Sequence, residues 1–367
     1  MAVDNDNVTS GAGSDFGGHL PVWRLVVPGA IGMAVVVWLF HNEFSIQVWQ
    51  QIHFTSRVII CIALAWLFMG GRDFGLMWRF RTLSDGQLSW KQAAKVNFMC
   101  EFTSCITPSA VGGSSLGMIF MHHEGINLGR ATTLMLTTLF LDELFFVIVC
   151  PVIVAVVPYE ELFGFSRHSG FTIGLKWTFW VVYALLVVWT LILFCGIILW
   201  PQGVRKALVK LFGIRFLRRW QPAVVELGRN MEDASRDLRK RSALWWAETF
   251  VATSLTWTSR YLVVNALFLG FVPGVDQLVV FGRQFVVWVV LMVSPTPGGA
   301  GVSEWLFTEY YGDMLSSAGI ALIIALFWRI ITFYVYLVVG VFLAPSMLSS
   351  KRYKSRKTDN NNKFIKK

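Results

Sequence analysis

The sequence predicts an all-α polytopic membrane protein with about six full transmembrane helices and two broken or re-entrant Pro/Gly hairpins in inverted repeats. Of its 367 residues, 55% are hydrophobic and only 15% are charged, against roughly 25% charged in a typical soluble domain. The mean hydropathy is +0.57, and several runs approach the roughly 20 apolar residues that a helix needs to cross a bilayer. This composition excludes a soluble enzyme, a disordered chain and a nucleic-acid-binding module, despite the net charge of +10.

Long apolar segments with few charges predict the six full spans. They lie at about 22–41, 57–71, 131–157, 174–200, 243–271 and 318–346. The polar segment ahead of the first span has no basic region before an apolar core, so we expect no cleavable signal peptide. The predicted organisation is a polar N-terminal segment, a first membrane half, a basic linker, a second membrane half and a basic tail, at 1–21, 22–200, 201–242, 243–346 and 347–367.

Two further apolar segments, 96–124 and 277–310, are interrupted by clusters of proline and glycine at 107–115 and 294–301. Proline removes a backbone donor and glycine weakens a helix. Open backbone at membrane depth persists only where protein or water covers it. Each segment is therefore predicted to be a helix–break–helix hairpin that dips into the bilayer and returns.

The distribution of charge predicts the topology. Of 32 lysine and arginine residues, 11 lie in 201–242 and 8 lie in 351–367, and such basic blocks mark cytoplasmic loops. With 72–95 also inside, the three inner regions carry +3, +7 and +7, and the outer loops carry −4. Both termini are then cytoplasmic, the first hairpin enters from the cytoplasm, and the second enters from outside. The linker is either an amphipathic helix on the inner leaflet or a solvated connector.

The two breaks also predict an internal symmetry. The pairs Gly112-Gly113 and Gly298-Gly299 lie 186 residues apart, about half the chain. Paired Pro/Gly-interrupted segments in matching halves point to the binding site of a transporter built from inverted repeats. The alternative is two unrelated kinked helices.

Ionisable residues at membrane depth are costly and usually line a cavity or pair with one another. Three arginines within apolar segments favour an anionic group such as a phosphate, and the glycines of the breaks allow close approach to the backbone. With the breaks, they make up the candidate substrate-binding residues: Pro108, Gly112, Gly113, Arg260, Arg283, Pro297, Gly298, Gly299, Gly301, Glu304 and Arg329. Glu101, Asp142 and Glu143 are a candidate charge relay. The alternative is that the carboxylates neutralise the arginines in a structural network.

Signals for catalysis are weak. The stretch from His122 to Asn127 begins like a zinc protease helix, but the second histidine is replaced by Asn127. The five cysteines show no metal spacing, and no nucleotide motif is present. We therefore assign no catalytic residue, metal site or cofactor.

The sequence around the breaks resembles a known family. The resemblance lies in 102–113, in the turn at 125–131, in the Pro-Gly-Gly-x-Gly-x-x-Glu run that ends at Glu304, and in the last helix around Arg329. The family is the lysylphosphatidylglycerol synthase transmembrane-region, or flippase-like, family, and the chain resembles a stand-alone version of the membrane half of the multiple peptide resistance factor. The family often has a Glu-Arg pair where this chain has Asp142-Glu143.

The resemblance implies a bacterial inner-membrane transporter that moves a phospholipid or a lipid-linked sugar between leaflets. Its expected partners are membrane lipids with anionic headgroups, together with a lipid-synthesising enzyme and without nucleic acid. Because no aminoacyl-transfer domain follows the last span, we do not expect the chain to make lysylphosphatidylglycerol by itself. Two alternatives stay open: a membrane subunit of a glycosyl- or aminoacyl-lipid synthase, and a transporter of small solutes or ions.

Overall fold

The computed structural model describes residues 54–107, 111–163, 169–212, 221–294, 296, 299, 301–315 and 318–348. These residues form helices joined by short turns, and no strand is present among them. The helices are α1 (Ser56–Leu83), α2 (Trp90–Ile106), α3 (Val111–His123), α4 (Leu128–Val156), α5 (Tyr159–Phe163), α6 (Ser169–Phe194), α7 (Pro201–Phe212), α8 (Gln221–Arg239), α9 (Ala243–Phe271), α10 (Gln277–Leu291), α11 (Val302–Tyr310), α12 (Ala318–Arg329) and α13 (Val335–Leu348).

Four helical stretches in this part of the chain are long and apolar enough to cross a membrane: Ser56–Leu83, Leu128–Val156, Thr172–Leu199 and Gly319–Ala344. They coincide with four of the predicted spans and confirm an all-α membrane protein. Helix α9 matches a fifth predicted span and has 29 residues, enough to cross a bilayer. The predicted span 22–41, the N-terminal segment 1–21 and the tail from 349 lie outside the described residues.

Helix α1 is longer than the sequence predicts. The prediction ends this span at residue 71 because three arginines follow, but the helix continues to Leu83. Arg72 and Arg79 are 3% and 1% exposed, so they belong to the protein interior and not to a cytoplasmic loop. The helix continues because carboxylates on other helices neutralise both arginines. Hydropathy does not show these partners.

Helices α1 and α9 pack against each other in antiparallel orientation. Near the end of α9, Gly270 lies against Cys61 at the start of α1. Near the start of α9, Glu248 accepts a hydrogen bond from Thr82 at the end of α1, at 3.0 Å. Since contacts run from one end to the other, these two helices form a seam through the protein.

The first broken segment folds as a hairpin. Helix α2 ends at Thr107, whose extended backbone (φ −104°, ψ 143°) cannot continue the helix. The Gln92 side chain in the first turn of α2 donates a hydrogen bond to the Glu124 carbonyl, directly after α3, at 3.3 Å. Helix α3 therefore returns to the side from which α2 started. The segment thus folds as a helix–break–helix hairpin, while its depth in the membrane stays a prediction.

The second broken segment returns to its own side in the same way. Gly299 and Gly301 have φ of +71° and +81°, a conformation that favours glycine, and α11 starts directly after them. At the end of α11, the Tyr311 hydroxyl donates to the Val280 carbonyl at 3.3 Å. The last residues of α11 thus lie beside the first turns of α10.

The two hairpins enter from opposite sides, as inverted repeats require. The base of the first follows the end of α1. The base of the second follows the end of α9, where Asn265 donates to the Gln277 carbonyl at 2.6 Å. Because α1 and α9 are antiparallel, the two bases lie at opposite ends of the seam. The spacing agrees, since α1 and α9 begin 187 residues apart (Ser56 and Ala243), as do α2 and α10 (Trp90 and Gln277).

The described part of the linker forms the helices α7 and α8, which pack on the membrane helices. Glu232 of α8 is buried and pairs with Arg205 of α7 at 3.2 Å and with Arg236 at 2.5 Å. Helix α8 rests on the start of α4, where Asn230 touches Gly129. The linker is therefore not a simple solvated connector, while its contact with the inner leaflet stays a prediction.

The seam can be tested at Gly75, which faces α9. A Cβ atom at this position would lie 2.5 Å from the Thr256 hydroxyl and 2.9 Å from the Ala252 carbonyl. We expect Gly75→Ala to destabilise the fold by about 1–3 kcal/mol through overpacking, measured as a lower melting temperature in detergent. Gly70→Ala is the matched control, because nothing lies within 4 Å of a Cβ there. Equal melting temperatures for both variants would contradict the seam.

Candidate functional site

A cluster of charged and aromatic side chains lies where the two hairpins converge on the α1–α9 seam. Arg72 of α1 forms ion pairs with its neighbour Asp73, at 2.8 Å, and with Glu101 of α2. Asp73 also accepts hydrogen bonds from Asn97 of α2, at 3.1 Å, and from the Tyr336 hydroxyl of α13, at 2.7 Å. The first hairpin is thus tied to α1 and to the last helix by polar contacts at membrane depth.

Arg260 of α9 occupies the centre of this cluster. Its guanidinium lies over the Trp288 ring of α10 at 4.2 Å and beside the Trp257 ring at 5.8 Å. Its nearest carboxylate is Glu101, at 3.8 Å, which is too long for a hydrogen bond. The side chain is 15% exposed. Among the described residues Arg260 accordingly has no hydrogen-bond acceptor, although a guanidinium carries five donors.

A second charge pair joins α4 to the seam. Asp142 accepts two hydrogen bonds from Arg79 of α1, at 2.5 and 3.2 Å, and a third from the Trp257 indole nitrogen, at 2.7 Å. Arg79 also donates to the Thr253 hydroxyl at 3.0 Å. Asp142 is therefore held in place, whereas its neighbour Glu143 has a buried oxygen, Oε2, without a partner in the described structure.

A third charge pair lies at the second break. Glu304 accepts a hydrogen bond from Arg329 Nε at 2.7 Å and another from the Gly301 backbone at 2.8 Å. It therefore fixes the start of α11 and neutralises a buried arginine in the last helix. Nearby, the Phe333 carbonyl lies 3.8 Å from the Cys105 sulfur at the end of α2. The inner ends of the two hairpins thus approach each other beside Arg329.

The structure places Arg283 away from this region. It lies in α10, about three turns before the break, and all of its described contacts are at the base of the hairpin. It pairs with Asp313, and it donates to the Tyr310 carbonyl at 2.9 Å and to the Glu161 carbonyl at 2.8 Å. With its donors satisfied, Arg283 closes the base of the second hairpin and does not join the predicted headgroup residues at its tip.

The glycines and prolines of the breaks are only partly described. Gly112 and Gly113 lie in the first turn of α3, and Gly299 and Gly301 supply the positive backbone angles before α11. Pro108, Pro297 and Gly298 lie outside the described residues. In the part of the chain that the structure covers, no group of three or more His, Cys, Asp or Glu is placed to hold a metal.

Sequence reasoning missed most of the central cluster. Hydropathy places Arg72, Asp73 and Arg79 in a cytoplasmic loop, and no sequence pattern distinguishes the aromatic side chains Trp257 and Trp288. One signal was available: Arg72 and Arg79 are seven residues apart, which puts them on one helix face two turns from each other. The aromatic partners of Arg260 come from two different helices and carry no such signal.

The contrast between the two arginines gives a prediction. Arg283→Met leaves Asp313 and two carbonyls without their donor, so we expect a loss of about 3–5 kcal/mol of stability and a clearly lower melting temperature in detergent. Arg260→Met removes no described hydrogen bond, and we expect a smaller decrease. A larger decrease for Arg260→Met than for Arg283→Met would show that this assignment of roles is wrong.

Comparison with known proteins agrees with this architecture. The sequence profile of the lysylphosphatidylglycerol synthase TM region matches residues 25–340. The chain is also 22% identical over 340 residues to a UPF0104 membrane protein of Archaeoglobus fulgidus, an alignment that covers 89% of this chain and 98% of the archaeal protein. The match includes both hairpins, the α1–α9 seam and the charged cluster between them. The chain belongs to the lysylphosphatidylglycerol synthase transmembrane-region family.

Proposed function

We propose that this protein moves a lipid with a phosphate-bearing headgroup, either a phospholipid or a lipid-linked sugar, between the two leaflets of the membrane. In this proposal Arg260 binds the phosphate while the acyl chains stay in the bilayer. The family supports a role connected with membrane lipids, and the geometry of the central cluster supports the transport step.

The observation that carries the proposal is the guanidinium of Arg260, which has no hydrogen-bond acceptor among the described residues. An arginine at membrane depth is expensive unless an anion or several acceptors compensate it. Among the described residues, Arg260 contacts Glu101 at 3.8 Å and the rings of Trp288 and Trp257. A phosphate would accept two parallel hydrogen bonds from it, which is the geometry that arginine favours.

The surrounding charges supply an exchange mechanism. Glu101 is shared between Arg72 and Arg260, so a phosphate that binds Arg260 competes with Glu101 for only one of its two partners. Glu101 then stays neutralised by Arg72 when the headgroup arrives and reclaims Arg260 when it leaves. The pair of Glu304 with Arg329 at the second break offers a further anion site if the pair opens.

The inverted hairpins supply the route. Two hairpins that enter from opposite sides meet near Arg260, so a rocking of one repeat against the other would expose the site to each leaflet in turn. We place the base of the first hairpin in the cytoplasm of a bacterial cell, with both termini on that side. Residues 80–95 still carry three positive and one negative side chain after the buried charges are removed, as an inner region should.

The test is lipid exchange by the purified protein in liposomes, with headgroup-labelled phosphatidylglycerol as the probe. We expect wild-type protein to move the label between leaflets, and Arg260→Gln to lower the rate at least about tenfold, since one charge-assisted hydrogen bond is worth about 1.5–3 kcal/mol. Arg260→Lys should recover part of the rate, because it restores the charge but not the planar pair of donors.

The matched control is Arg229→Gln, which removes the charge of an exposed arginine in α8 and should leave the rate near wild type. Equal rates for Arg260→Gln and wild type would contradict the assignment of the site. If the wild type moves labelled phosphatidylglycerol only when a synthase partner is present, the alternative of a synthase subunit gains support. Ion flux without lipid movement would favour the solute transporter.

A further inference from the structure

Glu143 is a membrane-embedded carboxyl group that the proposed headgroup site does not use. It lies in the middle of α4, next to Asp142, whose charge is already matched by Arg79. The Oε2 atom of Glu143 is buried and has no hydrogen-bond partner in the described residues. A buried polar atom without a partner is rare in folded proteins and calls for an explanation such as a proton or a bound water.

A second buried group also lacks a hydrogen-bond partner among the described residues. The Tyr261 side chain of α9 is 0% exposed, and its hydroxyl finds no partner in the part of the chain that the structure describes. Tyr261 interacts electrostatically with both Asp142 and Glu143. A phenol, like a protonated carboxyl group, can both donate and accept a hydrogen bond.

The charges around Glu143 favour the protonated form. Its neighbour Asp142 adds a negative charge, and the nearby cation of α1, Arg79, is bonded to Asp142. On α6, Tyr183 donates to the Val147 carbonyl, one turn along α4. Glu232 of α8 follows Met231, which contacts Thr133, and Arg283 of α10 follows Gly282, which lies against Ile153; both positions on α4 are about three turns from Glu143. An ionised Glu143 would be an uncompensated charge at membrane depth, which costs several kcal/mol.

The headgroup site and Glu143 are connected through one side chain. The Trp257 ring lies beside the Arg260 guanidinium, and its indole nitrogen donates to Asp142 at 2.7 Å. A phosphate that moves the Arg260 guanidinium away from Trp257 would also move the indole ring. This movement would change the hydrogen bond to Asp142 and, with it, the electrostatic field at Glu143. The Arg260 site and the Asp142–Glu143 pair thus both contact or adjoin Trp257, and a shared element of this kind is what coupling between two sites requires.

We propose that Glu143 binds and releases the proton that couples lipid movement to a proton gradient. This inference rests on the proposed function and adds its source of energy. Glu143 takes a proton from the water on one side of the membrane in one orientation of the repeats and releases it to the other side in the opposite orientation. Trp257 transmits the occupancy of Arg260 through its hydrogen bond to Asp142, the neighbour of Glu143.

The experiment measures exchange of headgroup-labelled phosphatidylglycerol in liposomes with and without a gradient of one pH unit. Such a gradient is a tenfold difference in proton activity, so we expect it to change the wild-type rate by up to about tenfold. In Glu143→Gln the ratio of the two rates should fall to about one, since the amide mimics a permanently protonated carboxyl. Trp257→Phe should lower the ratio as well, because the ring is kept and the donor to Asp142 is lost.

Glu160→Gln is the matched control, because Glu160 is an exposed carboxylate outside the central cluster, and it should keep the wild-type ratio. Exchange by the wild type that does not depend on the gradient would overturn the coupling and leave the proposed function standing. A wild-type ratio in Glu143→Gln would overturn the assignment of the proton to this residue.

A second readout does not depend on lipid movement. Infrared spectra of the purified protein should show the carbonyl band of a protonated carboxyl group at neutral pH. We expect the band to disappear in Glu143→Gln and to remain in Glu160→Gln. Its absence from the wild type would overturn the proton site, whereas its presence without any lipid exchange would support the site and count against the transport function.

Discussion

The antiparallel packing of α1 against α9 is the constraint on which the rest of the structure depends. It places Arg72 and Arg79 on one helix opposite Arg260 on the other, all at membrane depth. None of these charges is tolerable there alone. Helices α2 and α4 must therefore bring Glu101 and Asp142 to them, and this requirement locks both elements of the first repeat onto the seam.

The α1–α9 seam depends on small polar residues in α9. Its face toward α1 is a stripe of threonines whose hydroxyl groups donate to carbonyls of their own helix: Thr249, Thr253 and Thr256. Small residues let backbones approach closely, which is the usual basis of helix association in membranes. On α1 the matching position is Gly75. Close packing then keeps water away from the buried ion pairs and strengthens them.

The three arginine sites differ in the hydrogen-bond acceptors that surround them among the described residues. Each of the three guanidinium nitrogens of Arg283 donates to an acceptor, and these bonds hold the base of its hairpin together. Arg329 is paired with the residue that also starts α11. Arg260 stacks on Trp288 and has no described hydrogen bond. Natural proteins accept such a cost mainly where a ligand completes the site.

The sequence by itself determined the fold class, most of the spans, both breaks and the inverted arrangement, because hydropathy and Pro/Gly interruptions are local properties of the chain. It also singled out Glu304 and Arg329, which lie in two separate stretches that resemble the family, but not their pairing with each other. Only the tertiary structure decided that α1 continues through Arg72 and Arg79, that Arg283 is a clamp, and that Trp257 and Trp288 enclose Arg260. These facts depend on partners from other helices, and no local pattern encodes which buried charge meets which carboxylate.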